Sequence, residues 1–213
     1  MKPEHDMEKY KHIAKHYEEC FEQHGNNCRG VDWPNVKDAE TRYRIMLELI
    51  PPSSETCSLL DFGCGLSHLY DYMRKDVKYD NIIYTGLDIS EKFVDFSKEK
   101  GPRYLIKDLI REDLDEYFDY IVFNGVFTEK LDLSEDEMFA FMEQILLKCF
   151  KFTKKGLAFN VMSKNVDWER QDLFHCSMDK LTNFLFKNGL KHFVIRNDYG
   201  LYEYTTYVYR DVQ

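Results

Sequence analysis

The chain has 213 residues, 44% of them apolar and 31% charged, which is the profile of a soluble globular protein long enough to bury one core. Its formal net charge of −9 argues against a nucleic-acid partner, because that affinity rests on Lys and Arg neutralising phosphates. Six cysteines (Cys20, Cys28, Cys57, Cys64, Cys149 and Cys176) lack CxxC or Cys/His metal spacing, and neither a signal peptide nor a membrane-length apolar run is read. A cytoplasmic protein with reduced thiols, no metal and no membrane partner is expected.

Tyr10, Ile13, Ala14, Tyr17 and Phe21 recur at helical spacing and predict an amphipathic helix from about Asp6 to Glu22. A polar connection, His24 to Pro34, leads to a second helix with Tyr43, Met46, Leu47 and Ile50 on one face, stopped by Pro51-Pro52. Residues 1–52 therefore form a helical cap on an α/β core over 53–213, together one domain. Strands are predicted at Ser58–Phe62, Ile82–Asp88, Arg103–Lys107, Tyr120–Asn124, Leu157–Met162, His192–Asn197 and Glu203–Tyr209. Between them lie helices capped by Ser90, by Ser134 with Glu137 in a capping box, and by Ser177, the last ending at Asn188-Gly189. Lys151, Lys154 and Lys155 read as a solvated turn before the fifth strand. Strand–helix alternation implies a parallel sheet covered on both faces, and the short Asp198–Tyr202 connection forces its last two strands antiparallel. The fold class is α/β: a Rossmann-like, doubly wound, mostly parallel seven-stranded sheet with an antiparallel edge strand and an N-terminal helical cap.

The most informative segment is LLDFGCGLS, residues 59–67. An apolar strand ends in Asp61, a Gly63-x-Gly65 turn lets backbone approach a ligand, and a helix begins with N–H groups and positive dipole aimed at a carboxylate. Open α/β sheets bind ligands at this edge. Asp88 ends the second strand in TGLDIS, where it can accept from both hydroxyls of a ribose. Asp108 ends the third in LIKDL, within reach of an adenine amine. Any of these acids alone could cap a turn; three at consecutive strand ends point to a bound nucleoside.

LLDFGCGLS, YTGLDIS, YLIKDL and FDYIVFNGVF, in this order and spacing, resemble the first four motifs of class I S-adenosylmethionine-dependent methyltransferases. The likeness spans roughly Cys57 to Arg210, with Ser67 where a third glycine is common. It implies S-adenosylmethionine as cofactor and S-adenosylhomocysteine as product. Asp61, Gly63 and Gly65 would hold the methionine moiety, Asp88 the ribose and Asp108 the adenine, with Ile89, Leu109 and Asn124 beside them. HGNNCRGVDWPN and AETRYRIML resemble a bacterial subgroup of small methyltransferases, some associated with surface-polysaccharide pathways. That likeness implies a cap closing over the cofactor, with Arg42 pairing with the methionine carboxylate; Trp33 is either a core residue of the cap or a contact to the cofactor.

The acceptor side is less constrained. Phe127, after Asn124-Gly125-Val126, is a candidate floor for the reacting centre, since an aromatic face attracts a sulfonium. His175 and Tyr199 are candidate pocket residues, and His175, then Asp198, are candidate bases for a hydroxyl acceptor. Neither Asn-Pro-Pro-Tyr nor Asp-Pro-Pro-Tyr occurs, which argues against DNA adenine and protein glutamine as acceptors. The reading is methyl transfer to oxygen or nitrogen of a small molecule, such as a sugar or polysaccharide precursor. A nicotinamide-dependent oxidoreductase is a rival, although its third glycine would fall at His68. A non-catalytic methyltransferase-like binding subunit is another. Oligomeric state is left open.

Overall fold

Alternate residues of the central strands face opposite ways, and this divides the core into two apolar layers. The computed structural model describes residues 8–212. In chain order it contains α1 (Tyr10–His24), α2 (Val36–Leu47), β1 (Cys57–Phe62), α3 (His68–Met73), β2 (Ile82–Asp88), α4 (Glu91–Ser97), β3 (Arg103–Ile106) and β4 (Phe118–Phe123). There follow α5 (Glu135–Lys151), β5 (Thr153–Ser163), β6 (His175–Cys176), α6 (Met178–Lys187), β7 (His192–Arg196) and β8 (Glu203–Tyr209). The start expected for the first helix at Asp6 lies outside the described residues.

The strands run in the order β3-β2-β1-β4-β5-β8-β7, all parallel except β8, which is antiparallel to both β5 and β7. The antiparallel pair is present, with β8 inserted between β5 and the outermost strand β7. An eighth strand, β6, was not expected: two residues pair with Met162 and Ser163 at the end of β5. Met162 also pairs with Glu203 of β8, so β6 occupies the other edge of β5, past the end of β4. Two residues are too few to show an alternation in sequence. β5 is longer than predicted, because Lys154 and Lys155 are exposed residues within the strand, at a register shift against β4, rather than a turn before it.

Leu60, Ile121, Phe159 and Val208 face α5 and α6, in a layer that Ile13 of α1 also enters. Leu59, Val122, Ala158 and Tyr207 face the other way, towards Tyr43, Ile45, Met46 and Leu47 of α2 and Leu69 of α3. Burying each such Leu, Ile or Phe contributes about 1.5–3 kcal/mol. The Tyr207 hydroxyl donates to the Ile45 carbonyl at 2.6 Å. The two N-terminal helices thus differ: α2 is a layer of the core, whereas α1 crosses the ends of the parallel strands. The Ser90, Ser134/Glu137 and Ser177 caps form as their spacing predicts.

α1 is fastened at both ends. Tyr10 stacks on Phe141 of α5 at 5.5 Å between centroids, and Phe21 packs on Phe93 and Phe96 at α4. Lys9 pairs with Glu137 at 2.7 Å, and Glu18 and Glu22 accept from Ser90 and Lys92. Such contacts hold a roof in place more than they stabilise the fold, since exposed pairs contribute only about 0–1 kcal/mol.

Candidate active site

The C-terminal ends of β1, β2, β3 and β4 open into a cavity roofed by Tyr10, Ile13, Ala14 and Tyr17 of α1 and by Val31 and Trp33. It encloses about 1090 Å³, including its open mouth. Trp33, Asp61, Gly63, Gly65, Asp88, Ile89, Asp108, Leu109 and Asn124 all share its wall. The bend after β1 needs glycine: Gly63 has φ +68°, and a Cβ there would stand 2.7 Å from Cγ2 of Val126. Gly65 has φ +50°, and Ser67 takes a positive φ of 54° with its side chain buried.

The N–H groups of this bend are mostly spent inside the protein, contrary to the expectation that they await a carboxylate. Gly63 and Cys64 both donate to the Leu87 carbonyl, at 2.7 and 3.0 Å, and Ser67 donates to Cys64 at 2.8 Å. Gly65 donates to Oδ2 of Asp88 at 2.8 Å, while Ser90 donates to Oδ1 at 2.9 Å. Asp88 therefore holds two loops together and still has lone pairs facing the cavity. Burial pushes its carboxyl up to about 6 against the pull of those N–H bonds. Burial and the nearby Asp88 push Asp61 up to about 7, although the Tyr84 hydroxyl donates to it at 2.7 Å. Asp108 accepts from the Tyr10 hydroxyl at 2.6 Å, joining roof to floor, and from the Ile110 N–H at 3.0 Å.

Oδ1 of Asn124 is buried with no hydrogen-bond partner. An orphaned acceptor on a cavity wall is costly until a ligand donates to it. His68 lines the same cavity beside Asn26, and burial and Lys100 lower its imidazole to about 4. Tyr10 and Tyr17 also reach the cavity, and their helical spacing in α1 was the only sequence signal for it.

A second cavity, about 1130 Å³ with its mouth, meets the first at Trp33, which lies on both walls. Several expectations are corrected here. Arg42 is absent from the first cavity: its Nε donates to Glu203 at 2.8 Å, its guanidinium lies 5.0 Å from the Trp33 ring, and it lines the second cavity. A buried carboxylate on β8, invisible as a neighbour in sequence, captured it. Phe127 is fully buried among Phe123, Phe141 and Phe159 and lines neither cavity, because its side chain points into the α5 layer. Tyr199 also stands behind the wall, its hydroxyl 3.0 Å from Oγ1 of Thr205. Asp198 is exposed and forked onto Arg196 at 2.7 and 3.1 Å, which holds its carboxyl below the usual range and leaves it a poor base.

His175 does line the second cavity, but both ring nitrogens are engaged. Nδ1 lies 2.7 Å from the Ser163 carbonyl, and Nε2 accepts from the Arg170 N–H at 3.3 Å. Both ring nitrogens thus have backbone partners, and neither is left free to face the cavity. The acid that sequence reasoning missed is Glu129, buried on the wall of the second cavity; burial, then Asp32 and Asp172, push it up to about 7. Its only sequence signal was an acid five residues past Asn124. The described cysteines are all free thiols. No helix among the described residues is long and apolar enough to cross a membrane.

Residues 60–156 match the family model described as a methyltransferase domain. This match, the parallel sheet, the glycine bend and the acids at its strand ends make the chain similar to the class I S-adenosylmethionine-dependent methyltransferases. Rv1506c of Mycobacterium tuberculosis, named as a methyltransferase, is 28% identical over 159 residues, which cover 73% of this chain and 95% of that one. The magnesium protoporphyrin IX methyltransferase of Synechocystis PCC 6803, solved with S-adenosylmethionine, is 15% identical with a TM-score of 0.64, covering 95% of this chain and 97% of that one. The 1,6-didemethyltoxoflavin-N1-methyltransferase of Burkholderia thailandensis, solved with its acceptor and S-adenosylhomocysteine, is 14% identical with a TM-score of 0.61, covering 96% and 90%. At that identity the two structures share the fold with this chain.

Proposed function

We propose that the chain transfers a methyl group from S-adenosylmethionine to an oxygen or nitrogen of a small polar molecule, a sugar or polysaccharide precursor among them. The observation that carries this reading is the first cavity. It has three carboxylates at consecutive strand ends, a bend that only glycine fits, and a buried acceptor on Asn124 lacking a donor. Asp88 would hold the ribose hydroxyls, Asp108 the adenine amine between Ile89 and Leu109, and Asp61 with the glycine bend the methionine end. When bound, the cofactor supplies an electrophilic methyl on a sulfonium. The protein's own work is then alignment, which supplies about 7–11 kcal/mol in favourable systems. Trp33, shared by both cavities, marks where the two reactants would meet.

Calorimetric titration with S-adenosylhomocysteine and, separately, with reduced nicotinamide cofactor tests this. Tight binding of the first and none of the second is expected. The reverse order would overturn the reading in favour of hydride transfer.

A further inference from the structure

We propose that Glu129 removes the proton of an ammonium acceptor bound in the second cavity, so that the reaction is N-methylation of a polar amine. The assignment rests on the reading that the first cavity holds S-adenosylmethionine.

Position comes first. Asn124 is on the wall of the first cavity and Glu129, on the same loop, is on the wall of the second, with Trp33 bordering both. That loop is braced: Oγ1 of Thr128 donates to the Gly125 carbonyl at 2.8 Å, and the Phe174 N–H donates to the Thr128 carbonyl at 2.7 Å. Glu129 itself bridges to Leu173 through the backbone. The backbone that carries Glu129 is therefore fixed on the wall of the second cavity, which shares Trp33 with the first.

Its surroundings come second. Glu129 is 6% exposed, and no hydrogen-bond donor among the described residues reaches its carboxylate. Asp88 and Glu203, equally buried, each have donors. A carboxylate that opens onto a cavity and accepts from no protein donor is free to accept from a ligand there. The groups that face it are Asp32, Asp172 and Arg170 from neighbouring loops and His16, Tyr17 and Cys20 from α1. The nitrogen bases among them already have partners: Arg170 is forked onto Asp172, and Nε2 of His16 lies 2.9 Å from Asp32. The rest of the wall adds Asp38, Asp167 and Glu203 against Arg42 alone, and two indole rings. A pocket so charged repels phosphates and carboxylates and attracts a cation, which the indole faces also favour. Burial leaves Glu129 titrating near neutrality, the range in which a base both accepts and returns a proton readily.

The step balances. The acceptor enters as R–NH3+, and Glu129 takes one proton and becomes neutral. The nitrogen lone pair forms the new N–CH3 bond while the C–S bond breaks, its electron pair staying on sulfur. The product leaves as a methylated ammonium, and Glu129 returns its proton to water.

Both tryptophans of the chain, Trp33 and Trp168, lie on this wall, so their indole N–H resonances report on it. Protein labelled with nitrogen-15 and saturated with S-adenosylhomocysteine is titrated with ethanolamine, ethylene glycol and glycolate, which differ mainly in charge. The Trp168 resonance should show ethanolammonium binding at least about tenfold tighter than glycolate, weakening about tenfold as pH falls from about 8 to about 6. Glu129→Gln should abolish both effects, while S-adenosylhomocysteine affinity by calorimetry stays within about twofold. Equal or reversed affinities, or an unchanged response in Glu129→Gln, would overturn the proposal. Failure of the wild-type chain to bind S-adenosylhomocysteine would instead sink the reading of the first cavity.

Discussion

The first cavity takes much of its wall from strand ends and the residues just past them: Asp61–Gly65 at β1, Asp88-Ile89 at β2, Lys107–Ile110 after β3 and Asn124–Val126 after β4. The second draws on the loop before α2, on α2 itself, on the β4–α5 loop, on the β5–β6 loop and on the start of β8. One is a product of parallel strands ending together; the other is assembled from places that meet only because the chain folds. The difference predicts that damage to the first should be severe and local in sequence. Damage to the second should alter charge preference and pH response while cofactor affinity survives.

The largest expected effect is at Asp88. Asp88→Ala removes the proposed ribose contacts and also releases the Gly65 and Ser90 amides. S-adenosylhomocysteine affinity should fall at least roughly tenfold, and up to a hundredfold, as charge-assisted bonds are lost. Unchanged calorimetric affinity would remove Asp88 from the site. Gly63→Ala comes next, since the new methyl would crowd Val126 in a conformation strained for any side chain. A stability loss of about 1–3 kcal/mol in urea unfolding is expected, with weaker cofactor binding.

A pH series sharpens the contrast further. Asp61, Asp88 and Glu129 have folded values of about 7, 6 and 7, above their ordinary carboxylate values. The unfolded chain therefore loses these protons first, and the ligand-free protein should lose stability as pH rises from about 4.5 to about 7. Glu129→Gln removes one of the three terms, so its melting temperature relative to wild type should climb across that window. A constant difference would show that Glu129 is not strained by its charge. The smallest effect is expected at Asp198: Asp198→Asn should leave S-adenosylhomocysteine affinity and methyl transfer unchanged, because that carboxylate faces Arg196 and solvent. A clear loss of turnover would restore it as a base.

The acids at the ends of β1, β2 and β3 were legible because a strand end, a turn and a carboxylate are neighbours in sequence. Arg42, Phe127 and Tyr199 were misplaced because nothing local says which partner a side chain will meet. Arg42 met Glu203 across the sheet, Phe127 turned into the α5 layer, and Tyr199 bonded Thr205. His175 was placed between the fifth strand and the following helix, where it forms β6, yet its two hydrogen bonds to backbone come from β5 and the β5–β6 loop. Glu129 looked like any surface acid.

By itself, then, the sequence determined the strand–helix alternation, the capped helices, the antiparallel final pair and the row of acids beside a glycine bend. These follow from periodicity and turn chemistry, which act over a few residues. Only the tertiary structure decided that α1 roofs the cleft while α2 joins the core, that β8 is inserted beside β5, and that Glu129 is buried without a donor. Burial and charge pairing are set by which surfaces meet, and those meetings are made by segments far apart along the chain.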